Sequence, residues 1–366
     1  MRIGLAKEIK NEEYRVGLTP SGAGEYVAAG HRVLIEKSAG EGAGFADAEY
    51  RARGCEIVAD RRKLFDDSEM IVKVKEPLPS EYDLFHEGQI LYTYLHLAAD
   101  LEQTEALLAK KVTAFAYETV METDGSLPLL APMSQIAGRL SIQEGAKYLE
   151  KPCGGRGLLL AGVPGTAKGK VLILGGGVAG SNACRVALGM GADVTVMDIS
   201  AKRLADLETV FGTGLKTLYS SRENIEHELA QADLVIGSVL LPGALAPKLV
   251  RKSDLAAMKP GAVMVDIAID QGGCFETSHA TTHTEPVFTV GGVVHYCVAN
   301  MPGAVSLTST IALTNVTNRY GLMIANKGVE KAIAESAALK SGLNCFHGKL
   351  TNRAVAEAHR MSYITL

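Results

Sequence analysis

Short apolar runs recur along the first third of the chain, at residues 3–6, 32–36, 56–58, 70–74, 90–95 and 112–117. Between them lie stretches of helical length, for example 20–29 and 99–110. The first of these has Thr19 in the N-cap position and Pro20 at the first helical position, where a missing N–H costs nothing. Alternation of strand and helix predicts a parallel sheet wound on both faces. A second alternation runs from Lys170 to about Met301. Its predicted strands are 171–174, 193–197, 234–239, 262–268 and 295–299, and its predicted helices are 178–190, 201–211, 222–232 and 252–258. Near-continuous apolar strands such as VLIL and VMVDIAI suit a sheet covered on both sides. From Gly303 onward the pattern is helical, with no strand set of its own, so this segment is expected to pack back onto the first domain. The chain then reads as α/β, with two Rossmann-like doubly wound domains and an active-site cleft between them. The first domain is discontinuous, 1–129 plus 306–366, and the second is an insertion spanning 130–305.

Composition sharpens this picture at one place. Of 366 residues, 39 are glycine, where average usage predicts about 26. Twelve of them fall in the 38 residues from Gly154 to Gly191. There the predicted strand 171–174 runs directly into Gly175-Gly176-Gly177-Val178-Ala179-Gly180, a G-x-G-x-x-G that follows a strand and opens a helix. Gly175 permits the tight turn, Gly177 lets backbone approach a pyrophosphate, and Gly180 lets helix and strand pack closely. The anion then sits at a helix N-terminus. The next strand ends in Asp198, 18 residues beyond Gly180. A carboxylate there accepts from the adenosine ribose and repels a 2′-phosphate, which favours NAD over NADP, although Lys202 and Arg203 follow closely. Gly189 and Gly191 read as helix terminators. The glycines from Gly154 to Gly169 have no residue-level account from the sequence.

Charge and cysteine usage mainly exclude. A formal net charge of −4 provides no basic field for nucleic acid or anionic lipid. No apolar run is long enough to span a membrane, and the N-terminus lacks the pattern of a signal peptide. Six scattered cysteines without a C-x-x-C pair suit reduced thiols in the cytoplasm. His279 and His283 are spaced four apart, but their Thr-rich surroundings favour a loop over a metal-binding helix, so no metal is expected.

Ligands of open α/β sheets bind beyond the carboxyl ends of the strands. Arg15, Lys75 and His96 follow strands of the first predicted sheet, and Asp270 follows one of the second. Taken singly, each has an ordinary reading: a surface arginine, a solvated strand end, a histidine at a core edge, a turn residue.

Several segments carry a family likeness: KEIKNEEYRVGLTP (7–20), VKVKEPLPSEY (72–82), LYTYLHLA (91–98), SQIAGRLSIQEGA (134–146), LLLAGVPG (158–165), VLILGGGVAG (171–180), VDIAIDQGGCFETS (265–278) and YCVANMPGAVSLTST (296–310). In their combination and order the chain resembles L-alanine dehydrogenases, of the alanine dehydrogenase and transhydrogenase alpha-subunit family, along essentially its whole length. The resemblance implies reversible oxidative deamination of L-alanine by NAD to pyruvate and ammonium. It also implies a homo-oligomer, commonly a hexamer. Arg15 and Lys75 match the substrate ligands, His96 the acid/base, and Asp270 the residue that orients water. On the cofactor, Ser134, Val178, Ala179, Asp198, Arg203 and Ser220 match contacts. Val239 and Leu240 resemble the adenine side, while Ile267, Ala268, Ile269 and Asp270 with Val298, Ala299, Asn300 and Met301 resemble the nicotinamide side. His279 stands where the family often has arginine. Met323 and Lys327 occupy the region where some members carry a proposed magnesium site, so none is expected here. Two other readings share the glycine loop: the NAD-binding subunit of a transhydrogenase, and an NAD sensor without turnover.

Overall fold

The computed structural model describes residues 1–239 and 245–366. The chain divides into two compact units, Met1–Met133 with Gly303–Leu366, and Ser134–Pro302.

The first unit is built on an eight-stranded sheet. Its strands are β1 (Arg2–Leu5), β2 (Arg32–Glu36), β3 (Glu56–Val58), β4 (Met70–Val72), β5 (Ile90–Thr93) and β6 (Thr113–Ala116), joined by two late strands, β14 (Leu343–Phe346) and β15 (Lys349–Leu350). Their order is β15-β14-β6-β5-β4-β1-β2-β3. The first six are parallel to their neighbours. The two late strands are antiparallel, β14 against β6 and β15 against β14. The C-terminal segment therefore does supply strands, contrary to expectation. They are short and lie at an edge, so they show no long apolar run. Strands β4, β5 and β6 are buried along their whole length, as a sheet covered on both faces requires. Thr19 and Asp100 cap the helices Pro20–Ala28 and Leu101–Ala109, accepting from the N–H groups of Gly22 (3.0 Å) and Gln103 (3.0 Å).

The second unit carries a seven-stranded sheet: β7 (Lys170–Leu174), β8 (Asp193–Asp198), β9 (Leu215–Tyr219), β10 (Leu234–Gly237), β11 (Val263–Asp266), β12 (Val287–Val290) and β13 (Val293–Tyr296). The order is β12-β13-β11-β10-β7-β8-β9, with only β12 antiparallel to its neighbour. Its core packs Leu172, Leu174, Val235 and Met264 from the strands against Ile225, Leu229 and Phe275. The helix expected over 252–258 is instead a tight helical turn, Lys252–Ala257. Upstream of β7, Gly154, Gly157, Gly162 and Gly165 all adopt positive φ. The unexplained half of the glycine cluster is thus a run of turns that L side chains adopt only with strain. No helix among the described residues is long and apolar enough to cross a membrane.

Candidate active site

In the second unit the helix Val178–Gly189 starts directly after the glycine loop. Gly175 holds φ at +100°, and a Cβ on Gly180 would lie 1.8 Å from the Gly175 carbonyl oxygen. A Cβ on Gly177, by contrast, would meet nothing within 4 Å. Two glycines thus shape the turn, and the third keeps its outer surface open. Gly177 is the N-cap of the helix and gives it no side-chain cap. The N–H groups of the first turn are therefore presented outward, where the helix dipole favours an anion.

Asp198 ends β8 beside this loop. Its carboxylate accepts from the N–H of Gly176 (2.8 Å) and of Ser200 (2.8 Å). Arg203 donates through Nε to the Gly176 carbonyl and, at 3.5 Å, through Nη2 to that of Gly177. One acid and one base thus hold the two backbone groups of Gly176, its N–H and its carbonyl. Ser220 follows β9 and donates its N–H to the Asp198 carbonyl (3.0 Å). Ser134 lies in the helix Ala131–Tyr148. One turn on, Gly138 presses against the loop, since a Cβ there would come within 2.0 Å of the Ala179 oxygen. These observations fit a dinucleotide: an open glycine surface at an uncapped helix N-terminus, with a carboxylate at the end of the adjacent strand.

The other described residues expected on the cofactor side also follow strand ends of this sheet. Val239 follows β10, and its carbonyl faces the Cys274 thiol at 3.9 Å. Leu240 lies outside the described residues. Ile267 to Asp270 form a tight turn directly after β11. Asp266 organises that turn from below. Its buried carboxylate accepts from the N–H groups of Ala268 (3.1 Å), Cys274 (2.8 Å) and Phe275 (3.3 Å) and from the Ser278 hydroxyl (2.6 Å). Burial pushes the Asp266 carboxyl above its ordinary value, and these donors oppose the rise. Asp270 itself is exposed. Val298 to Met301 follow β13, with Asn300 at φ +60° and the Ala299 N–H donated to Thr281 (3.1 Å). His279 stacks on Phe288 with ring centroids 3.7 Å apart, and Phe288 stacks in turn on His295 at 5.0 Å. Where the family often places a charged guanidinium, this chain packs a ring on a ring.

In the first unit the expected groups follow β1, β4 and β5, which are neighbours in the sheet. Arg15 is no surface residue: it is 2% exposed. Glu13 grips it in a fork, Nε to Oε1 at 2.7 Å and Nη2 to Oε2 at 2.6 Å, while Nη1 meets the Met133 sulfur at 3.2 Å. Burial alone would lower the Arg15 pKa, and Glu13 more than offsets that, so the guanidinium stays charged. Lys75 is also buried. Its backbone is held on both sides, by Glu8 at the N–H (3.3 Å) and by the Thr93 hydroxyl at the carbonyl (3.0 Å).

Glu8 belongs to a chain of buried charges. Lys73 Nζ lies 3.2 Å from Glu8 and 3.0 Å from Glu81, and Arg61 joins Glu81 to Glu36. Burial raises the Glu8 pKa despite Lys73 and the Val74 N–H. Glu76, paired with Lys10, shows the opposite balance. Burial would raise it, yet Lys75, Lys10 and His96 together hold it below the ordinary carboxylate value. Lys75 and His96 therefore act on one carboxylate.

His96 is exposed and sits in the left-handed region, φ 52° and ψ 34°. Its ring lies nearly parallel to that of Tyr94, with centroids 6.0 Å apart, and the Tyr94 hydroxyl is anchored on the Leu129 carbonyl (2.6 Å).

Sequence reasoning missed Glu8, Glu13, Lys73, Glu81 and Asp266, and also Glu118, whose carboxylate accepts the His96 N–H at 2.6 Å. A lysine interrupting MIVKVK and an aspartate interrupting VMVDIAI were the available signals.

Comparison with known proteins comes to one family. The model of the alanine dehydrogenase/PNT N-terminal domain matches residues 4–137, and that of the C-terminal domain matches residues 141–353. Alanine dehydrogenase of Methanococcus maripaludis is 56% identical over 364 residues, covering 99% of this chain and 98% of that one. Alanine dehydrogenase of Bacillus subtilis is 56% identical over 365 residues, covering 100% of this chain and 96% of its own length. A solved L-alanine dehydrogenase superposes with a TM-score of 0.96 at 53% identity, covering 98% of this chain and 99% of that one. A transhydrogenase from Sinorhizobium meliloti shares the fold, with a TM-score of 0.83 at 23% identity over 97% of this chain and 100% of its own.

Proposed function

We infer the function from one premise: the chain belongs to the alanine dehydrogenase/PNT family. It catalyses the NAD-dependent, reversible oxidative deamination of L-alanine to pyruvate and ammonium. The observation that carries this reading is full-length identity above half to alanine dehydrogenases; Arg15, Lys75, His96 and Asp270, each in a segment that follows a strand, agree with it. The first unit serves the substrate and the second the dinucleotide.

NAD, when bound, supplies the hydride acceptor. The chain's own groups do the rest. Arg15 and Lys75 bind the substrate carboxylate, the guanidinium by its planar fork and the ammonium as a point charge. His96, exposed beyond the end of β5, serves as the acid/base that exchanges protons with the substrate. Asp270 orients the water that attacks the substrate's imine carbon. Ser134, Gly175, Gly177, Val178, Ala179 and Gly180 cradle the diphosphate, and Asp198 receives the ribose hydroxyls. Arg203, Ser220, Val239 and Leu240 line the adenosine, and Ile267 to Asp270 with Val298 to Met301 line the nicotinamide. The enzyme works in the cytoplasm as a homo-oligomer, a hexamer, in amino-acid catabolism. Free thiols at all six cysteines agree with a reducing compartment.

The test is alanine-dependent formation of NADH, read by absorbance, with His96→Ala beside the wild type. Loss of about 10²–10⁴ in turnover with NAD affinity kept is the expected result. An alanine-independent wild type, or a His96→Ala variant of normal turnover, overturns the reading.

A further inference from the structure

The strand pair β5–β6 brings a residue to His96 that no part of the reaction assigned above uses. Thr93 is in register with Ala116 across this parallel pair. Two to three residues further along each chain, Leu95 and His96 therefore lie beside Glu118. The Glu118 carboxylate accepts the His96 N–H at 2.6 Å and the Leu95 N–H at 3.1 and 3.2 Å. Two consecutive N–H groups aimed at one point form a backbone nest, a concavity that binds anions. Here a side chain of the same unit fills it. The two N–H groups converge because the chain leaves the extended course of β5 at Leu95, where extended backbone would direct them to opposite sides, and the left-handed turn at His96 starts from the peptide so held. Left-handed backbone is unfavourable for a residue with a Cβ, so the turn needs a reason to persist. Charge-assisted bonds from two N–H groups to one carboxylate supply it. Leu95 is buried, so without an acceptor its N–H would be stranded.

We propose that Glu118 is the positioning residue for His96: by accepting the Leu95 and His96 N–H groups it pins the peptide from which the left-handed turn departs, and so sets the aim of the exposed imidazole. Other contacts brace the same turn but do not bind the His96 N–H. Gln103 Nε2 donates to the Leu95 carbonyl (3.1 Å), and the His96 carbonyl accepts from Ala99 (3.0 Å). Charged and titratable groups near this turn include Lys75 and Glu76, Arg15 and Glu118, which both act on the Tyr94 ring stacked on His96, and His359, which meets the Leu97 carbonyl at 2.6 Å. Loss of Glu118 therefore releases the peptide that sets the aim of the ring. The proposal rests on the assignment of His96 as acid/base, so the experiment keeps the two apart.

Glu118→Ala, Glu118→Gln and His96→Ala are compared with the wild type in steady-state alanine oxidation. Glu118→Ala is expected to lose about 10–10²-fold in turnover, the scale of a misplaced catalytic group, with the KM for NAD within twofold of wild type. Formate, a small carboxylate, should restore part of that loss in Glu118→Ala and leave the wild type unmoved. Glu118→Gln keeps an acceptor oxygen but not the charge. It should retain more turnover than Glu118→Ala. Near-wild-type turnover in Glu118→Ala overturns the proposal. So does a loss that formate leaves unchanged, or a Glu118→Gln variant no more active than Glu118→Ala. If His96→Ala itself turns over normally, the acid/base assignment has failed, whatever Glu118 does.

Discussion

Replacing Lys73 by methionine tests the buried charge chain of the first unit. Lys73 is fully buried, 3.2 Å from Glu8 and 3.0 Å from Glu81. At an effective dielectric near 20, each contact carries about 5 kcal/mol of attraction, set against the desolvation of all three groups. Glu81 keeps Arg61 in the variant, so Glu8 is the group left exposed to the loss. Breaking a buried pair from one side costs about 3–5 kcal/mol. With a urea slope of about 2–3 kcal/mol per molar, the unfolding midpoint of the variant should fall by about 1–2 M. The loss should grow with pH. Burial already raises the Glu8 pKa above its unfolded value, and removing Lys73 raises it further. The native state then binds more protons than the unfolded one, so stability falls as pH rises through the native pKa. The variant should thus lie nearer the wild type at about pH 5 than at about pH 8. Adding Glu8→Gln removes the uncompensated charge and should recover a large part of the midpoint at high pH. Chemical denaturation followed by circular dichroism measures all of this. A midpoint within about 0.3 M of wild type, or a double variant less stable than the single one at high pH, would refute the reasoning.

Gly180→Ala drives a methyl against the Gly175 carbonyl 1.8 Å away, so the loop must shift. NAD affinity, measured by titration calorimetry, should fall by about 10–10²-fold, the equivalent of about 1–3 kcal/mol of overpacking. Asp198→Ala frees the Gly176 N–H and removes the acidic group at the strand end. NAD should bind more weakly and the preference for NAD over NADP should shrink; equal use of NADP by the wild type would sink the ribose argument. Burial pushes the thiols of Cys184, Cys274, Cys297 and Cys345 up to about 12 and that of Cys55 up to about 11. The half-buried Cys153 should therefore take up iodoacetamide first in the native protein, with the other five following on denaturation; mass mapping of early label on any of those five contradicts this.

The parts of the fold legible in the sequence are those where burial on both faces leaves an unbroken apolar run, as in β4, β5, β7 and β11. Strand β9 (LKTLY) escaped notice because it is an edge strand with exposed positions. The helix Ala131–Tyr148 was hidden by its glycines, poor helix formers that serve packing here. A Cβ on Gly145 would sit 2.5 Å from the Leu234 side chain, much as one on Gly138 would meet Ala179. Arg15, Lys75, His96 and Asp270 could be nominated as strand-end residues and by family likeness. Their supports could not. Glu8 and Lys73 are 65 positions apart, and Glu118 meets a residue 22 positions before it. Such pairs carry no local periodicity; only the order of strands in the sheet brings them together.

The edge formed by β14 on β6 bears on how this chain comes into being. The first unit closes only with residues from Gly303 onward, yet Ser134–Pro302 are made in between. At about 5–20 residues per second, a ribosome needs roughly 10–30 s to traverse that insertion. For that interval β6, buried along its whole length in the finished protein, waits with its outer backbone groups unpaired. An open apolar edge of this kind recruits other strands. The nascent first unit is therefore the stage at which the chain is most exposed to aggregation, and the last-made hairpin is what ends it.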